Sequence, residues 1–150
     1  MFTQKLNELF SKLGNHSIMC LATSFNDKVT ARSMSIIIYN NKFYFQTDTN
    51  FQKFEQIKNN HNVALCCNNI QIDGVCTALG HPLLDSNSFF SDLYKKYYEG
   101  SFLKYSSLKD EILFEVIPSK ISVWDYDDGK PYQEFFVIQD NTYQKVYYTI

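Results

Sequence analysis

Arginine is nearly absent from this chain: Arg32 is the single one among fourteen basic residues in a chain of 150. A composition leaning on Lys, Asn, Tyr and Ile loses arginines by drift, so the lone guanidinium is a hint rather than a signature. No basic stripe exists either. The lysines are scattered among sixteen acids and the formal net charge is −2, which argues against a nucleic-acid partner. No run approaches the ~20 apolar residues of a membrane helix, and the opening MFTQKLNELF is patterned as a helix rather than a signal peptide. A cytosolic protein with no membrane partner is the expectation. Cys20, Cys66, Cys67 and Cys76 show no C-x-x-C spacing and lie in apolar, strand-like stretches, which favours reduced core residues over a metal site or a disulfide framework. His16, His61 and His81 are dispersed and read as loop or strand-end residues, with no metal expected. A Gly-rich phosphate loop, a nucleophile motif, paired carboxylates and internal repeats are all missing.

What is present is core-forming material. Hydrophobic residues make up 45% and aromatic residues 17% of the chain, enough for one interior and for ring-stacking surfaces. The length suits a single domain spanning 1–150. Thr3 is placed to cap a helix carrying Leu6, Leu9, Phe10 and Leu13 on one face, with Gly14 as a left-handed stop. Strands follow at Ser17 to Phe25, Lys28 to Tyr39 and Lys42 to Thr47, joined by Asn26-Asp27 and Asn40-Asn41 turns. A short helix capped by Asn50 carries Phe51, Phe54 and Ile57, and the strand VALCCN comes next. Asp73-Gly74 reads as a turn into VCTALGHP. A helix from Asp85 or Ser86 then runs to Gly100, and Glu111 to Trp124 forms a long strand that Pro118 marks as an edge or a bulge. A final hairpin turns at Asp140-Asn141. Closely spaced antiparallel strands interrupted by helices favour a small barrel of the α+β kind over a doubly wound sheet.

The chemistry concentrates between Thr30 and Lys58. A strand carrying Arg32 lies beside one ending at Thr47, and the loop through Asp48, Thr49 and Asn50 leads into a helix whose first N–H groups lack partners. Lys53 stands in that first turn, where a cation opposes the helix dipole by about 0.3–1 kcal/mol unless an anion is near. Arg32, Thr47, Thr49 and Lys53 together supply the donors that a phosphate monoester needs. Two readings stay open on these residues alone: an anion corner, or a solvated Lys53 with Arg32 paired to Asp48.

The pattern Ala31-Arg32-x-Met34, then Phe43-x-Phe45-x-Thr47, then Lys53 six residues later resembles the FMN-binding split-barrel proteins related to pyridoxamine 5′-phosphate oxidase. The similarity is strongest to the Nim-type nitroimidazole reductases. It extends over most of the chain, through the first helix, Leu21 to Ser24, Val63 to Cys67 and the strand reaching Trp124. The resemblance implies a mainly β, six-stranded antiparallel split barrel with Greek-key character and two to three peripheral helices. It also implies a homodimer with FMN between the chains. Arg32, Thr47 and Lys53 would hold the phosphate, Ser33, Met34 and Ser35 would line the isoalloxazine ring, and Trp124 would approach the flavin from the partner. The activity implied is electron transfer from NADH or NADPH to a small acceptor such as a nitroaromatic or quinone. A flavin, haem or deazaflavin store on the same barrel is the alternative. Two departures stand out. Phe51-Gln52 replaces a Ser/Thr-Arg pair that the family often has before the lysine, which brings Thr49 forward as a substitute ligand. The C-terminal Arg and His that hold pyridoxamine phosphate are absent, which speaks against that substrate.

Overall fold

The computed structural model describes residues 1–149. The chain runs α1 (Phe2–Leu13), β1 (His16–Phe25), β2 (Lys28–Tyr39), β3 (Lys42–Asp48), α2 (Gln52–Asn59), β4 (Asn62–Cys67), β5 (Ile70–Ala78), a 3₁₀ turn (Asp85–Asn87), α3 (Ser88–Tyr97), α4 (Glu99–Tyr105), β6 (Glu111–Asp127), β7 (Lys130–Val137) and β8 (Thr142–Tyr147). The strands lie in the order β3-β2-β1-β4-β5-β6-β7-β8, and a further β3–β6 pairing closes the first six into an antiparallel barrel. β7 and β8 extend β6 beyond the barrel. The chain leaves β3 through α2 and re-enters beside β1, a Greek-key step across one end. This is the split-barrel α+β fold, with four α-helices rather than two to three.

Local chemistry explains the first meander. Asn26 and Asp27 (φ 50 and 62) and Asn40 and Asn41 (φ 51 and 59) occupy the left-handed region, which two-residue hairpin turns require and which Asn and Asp tolerate. Alternation then sends Leu21, Ile36, Phe43, Phe45, Leu65, Ile72, Val116 and Ile121 inward, all at 0% exposure. Each such side chain contributes about 1.5–3 kcal/mol of burial. Leu9 and Phe10 of α1 join this core. A second cluster on the outside of the barrel packs Phe90 and Tyr94 of α3 over Ile37, Tyr44 and Leu113.

Several expectations need correction. Asp73 and Gly74 lie inside β5; the turn before it is at Asn68, with φ 53. Gly74 is needed for close approach instead, because a Cβ there would meet Val116 Cγ1 at 2.6 Å and the Ile117 carbonyl oxygen at 2.9 Å. The β5–β6 register shifts at this point, opposite Pro118, so the bulge read from that proline is present. Gly100 does not end a helix but lies within α4. The break comes at Tyr98, whose backbone leaves the helical region (φ -134, ψ 51) and whose hydroxyl donates to the Ile36 carbonyl at 3.0 Å. Neither Thr3 nor Asn50 caps a helix: Met1 and Phe51 hold those positions without side-chain bonds. The cysteines are not all core residues, since Cys20 and Cys66 are exposed, Cys67 half-buried and only Cys76 buried.

Candidate anion and cofactor site

β1 and β2 pair along ten positions, from His16↔Ile37 to Phe25↔Lys28. β2 and β3 pair over only three, Ile37↔Tyr44 to Tyr39↔Lys42. β3 turns away to follow β6 from Phe43 to Asp48. The edge of β2 from Thr30 to Ile36 therefore has no strand partner on the β3 side. The gap is a cavity of about 400 Å³, lined by Ser33, Met34 and Ser35 of β2, Gln46, Thr47 and Asp48 of β3, and Phe51 and Lys53 of the α2 entry. Tyr94, Ser101, Tyr105, Leu108 and Glu111 close it from the α3–α4 side. That size lies within the usual range for small-molecule sites, about 300–1,000 Å³.

Arg32 of β2 is not among the lining residues, and its fork is held in place. Nη1 donates to Thr23 Oγ1 at 2.8 Å and to the Leu21 carbonyl at 3.2 Å, and Nη2 donates to Thr30 Oγ1 at 2.5 Å. Both threonine hydroxyls in turn donate to Gln56 Oε1 of α2, at 2.6 and 2.7 Å. Gln56 also donates to the Lys28 carbonyl at 3.3 Å. One glutamine thus ties the helix to both strands and fixes the guanidinium through neutral oxygens only. Burial draws the Arg32 guanidinium below its usual value, with Cys20 acting the other way.

Lys53 sits close by, its ammonium 4.7 Å from the centre of the Phe51 ring. Burial draws its ammonium below the ordinary lysine value and the Arg32 charge adds to this, while Glu111 and Asp48 oppose it. Among the described residues, ion pairs join Lys5 to Glu8, Lys42 to Glu115 and Lys145 to Asp127. None involves Arg32 or Lys53. Asp48 is not the partner of Arg32, because its carboxylate accepts from the Asn50 backbone N–H and Nδ2, both at 2.8 Å. The salt-bridge alternative left open by the sequence is therefore not formed.

Thr47 completes the corner. It is 4% exposed, and its Oγ1 is the one buried side-chain polar atom without a hydrogen-bond partner among the described residues. Leaving a buried hydroxyl unpaired costs about 1–3 kcal/mol, so its place on the wall it shares with Lys53, a cation in no ion pair, is informative. An anion with several acceptor oxygens would satisfy the hydroxyl and the Lys53 charge together, with the Arg32 charge near enough to act on Lys53. The residues present fit a phosphate.

Across the cavity, Ser106 Oγ donates to Gln46 Oε1 and Gln46 Nε2 donates to Glu111 Oε1, both at 2.9 Å. Burial pushes the Glu111 carboxyl above its ordinary value, partly offset by the Gln46 hydrogen bond. A buried carboxyl therefore faces Lys53 over the pocket. Sequence reasoning missed Glu111, Gln46, Gln56, Thr23 and Thr30, whose meeting depends on barrel closure.

The expected residues divide by place. Ser33, Met34, Ser35, Thr47 and Lys53 share the pocket wall. Arg32 is not on it, its fork being bonded to Leu21, Thr23 and Thr30. Thr49 lies on the loop, where its N–H donates to the Asp110 carbonyl at 2.9 Å, and it is not among the lining residues. Trp124 is 36% exposed at the far end of β6, with Tyr126 and Tyr148 each 6.0 Å from it, ring centre to ring centre. No histidine lines the pocket. His81 accepts from the Leu83 N–H at Nδ1 and so donates from Nε2 to the Leu108 carbonyl at 2.9 Å, and His16 stacks on Tyr97 at 3.9 Å. No group of three or more potential metal-ligating side chains occurs among the described residues.

No family model matches the chain, and no curated protein does. Solved structures do. A NimC/NimA family protein from Clostridium acetobutylicum superposes with a TM-score of 0.57 at 14% identity, covering 98% of this chain and 94% of that one. An FAD-binding protein from Mesorhizobium loti gives 0.58 at 11% identity, covering 79% and 90%. HutZ, a haem storage protein from Vibrio cholerae, gives 0.61 at 11% identity, covering 78% and 89%. At these identities the likeness establishes the shared fold, and the pocket must speak for its own ligand.

Proposed function

We propose that this chain binds FMN, with the phosphate held by Arg32, Thr47 and Lys53, and that it acts as an FMN-dependent oxidoreductase working as a homodimer. The observation that carries the reading is the unpaired, buried Thr47 hydroxyl on the same pocket wall as Lys53, which is in no ion pair. Ser33, Met34 and Ser35 present the unpaired edge of β2 to the same cavity and would flank the ring. Phe51, standing where related proteins have a polar residue, contributes its ring face to Lys53 rather than a hydrogen bond. Thr47 rather than Thr49 takes the phosphate in this reading. Trp124, exposed and aromatic-flanked, is suited to meet the flavin of a second chain.

Bound FMN supplies hydride and electron transfer between a reduced nicotinamide and a small acceptor such as a nitroaromatic or quinone. The chain's own work is to bind, orient and shield. Gln56 holds Arg32 through Thr23 and Thr30, and the Ser106–Gln46–Glu111 relay forms a polar wall opposite Lys53.

Purified protein should be yellow with flavin absorbance, and NADH or NADPH should bleach it until an added nitro compound restores the colour. A yellow protein that no nicotinamide bleaches defeats the enzyme reading and leaves a flavin store. The fold shared with a haem storage protein keeps a haem or deazaflavin store as the second reading, distinguished by the spectrum and mass of the co-purifying molecule.

A further inference from the structure

Cys20 of β1 and Cys66 of β4 are direct partners in the antiparallel register, followed by Leu21↔Leu65 and Ala22↔Ala64. Both thiols are free and exposed. Residues directly opposed in antiparallel strands have Cα atoms about 4.5–5.5 Å apart and project to the same face. A disulfide spans Cα separations of about 4.4–6.8 Å, so the backbone already stands where the bond requires it. The other two cysteines are separated from this pair. Cys67 points through the sheet, its Sγ 3.4 Å from the Ser17 hydroxyl. Cys76 is buried at 1% exposure, and burial pushes its thiol up to about 12, which keeps it protonated and unreactive.

We infer that Cys20 and Cys66 form an oxidisable cross-strand dithiol that closes to an intramolecular disulfide, joining β1 to β4, on exposure to a peroxide or a small-molecule disulfide. With hydrogen peroxide, one thiolate takes up an oxygen to give a sulfenic acid and the remaining oxygen leaves as water. The second thiol then displaces that oxygen as a second water molecule, so two S–H bonds are lost and one S–S bond is gained. With glutathione disulfide, the pair of electrons leaves in two glutathione thiols by successive exchange. The bond closes a loop containing β2, β3 and α2 and sits one residue from Leu21, whose carbonyl accepts from Arg32. Because the loop is long, the staple constrains the unfolded chain and stabilises the folded one.

Folded protein treated with hydrogen peroxide or glutathione disulfide, then alkylated and analysed by intact mass and non-reducing peptide mapping, tests this. The expected result is a loss of two hydrogens and two alkylatable thiols, with a peptide joining Cys20 to the segment holding Cys66. A rise in thermal midpoint that dithiothreitol reverses should accompany it. Cys67→Ser should retain the link, which distinguishes the neighbouring sulfurs, and Cys20→Ser should abolish it. Linkage through Cys67 or Cys76, a disulfide between chains, sulfinic acid without a link, or unchanged thiols in the folded protein would each overturn the inference.

Discussion

Replacing Thr47 with Val separates the stability of the fold from the occupancy of the site. The two side chains have nearly the same shape, and Thr47 is 4% exposed with no partner for its hydroxyl. Removing the hydroxyl therefore relieves an unpaired buried group worth about 1–3 kcal/mol. For a chain of this length each kcal/mol moves the midpoint by about 2–4 °C, so the ligand-free variant should melt roughly 2–12 °C higher than the parent. The loaded protein should respond in the opposite sense. If the hydroxyl donates to a phosphate oxygen, its loss removes a charge-assisted bond of about 1.5–3 kcal/mol, or roughly ten- to 150-fold in FMN affinity. Thermal melts of flavin-stripped protein and FMN titration followed by flavin fluorescence read the two effects independently. A Thr47→Val protein that melts lower when stripped and binds FMN as well as the parent would refute the reasoning on both counts.

Arg32→Ala and Lys53→Ala should each weaken FMN binding by about one to two decades, since each removes one charged contact; unchanged flavin occupancy in both removes the phosphate assignment. Glu111→Gln should raise the melting temperature at neutral pH. Its carboxyl is raised above 4.5 in the folded protein, so ionisation costs stability above that raised value and costs nothing below the ordinary one. The advantage of the variant should thus fade as pH falls to about 4, because the Gln46 bond to Oε1 survives the substitution; an advantage independent of pH contradicts it. Gly74→Ala should cost about 1–3 kcal/mol by overpacking against Val116 and the Ile117 carbonyl, read as a lower urea midpoint with an unchanged slope.

The fold was legible wherever a residue's own backbone preference decided the matter. Asn26-Asp27 and Asn40-Asn41 announce hairpins because positive φ suits those side chains, and alternation between them sets which face is buried. Gly74 misled because glycine serves two purposes, and the one used here, room for the β6 backbone, depends on a strand more than forty positions away. Gly100 misled as well: the helix breaks two residues earlier, at Tyr98, whose ring is tied to β2 by its bond to the Ile36 carbonyl, a contact with no local signal. In the site, the strand-and-helix span of Arg32, Thr47 and Lys53 could be read locally. Glu111, which meets Gln46 across 65 positions, and Gln56, which meets Thr23 across 33, carry no local signal, because only barrel closure and the packing of α2 on β1 bring them together.

The claim that a phosphate fills the corner between Arg32, Thr47 and Lys53 is tested most directly by comparing FMN with riboflavin, which has the same ring and lacks the phosphate. Titrated into flavin-stripped protein, FMN should bind at least about a hundredfold more tightly, the equivalent of roughly 2.7 kcal/mol or two charge-assisted hydrogen bonds at the low end of their range. Equal affinity for the two flavins would contradict it.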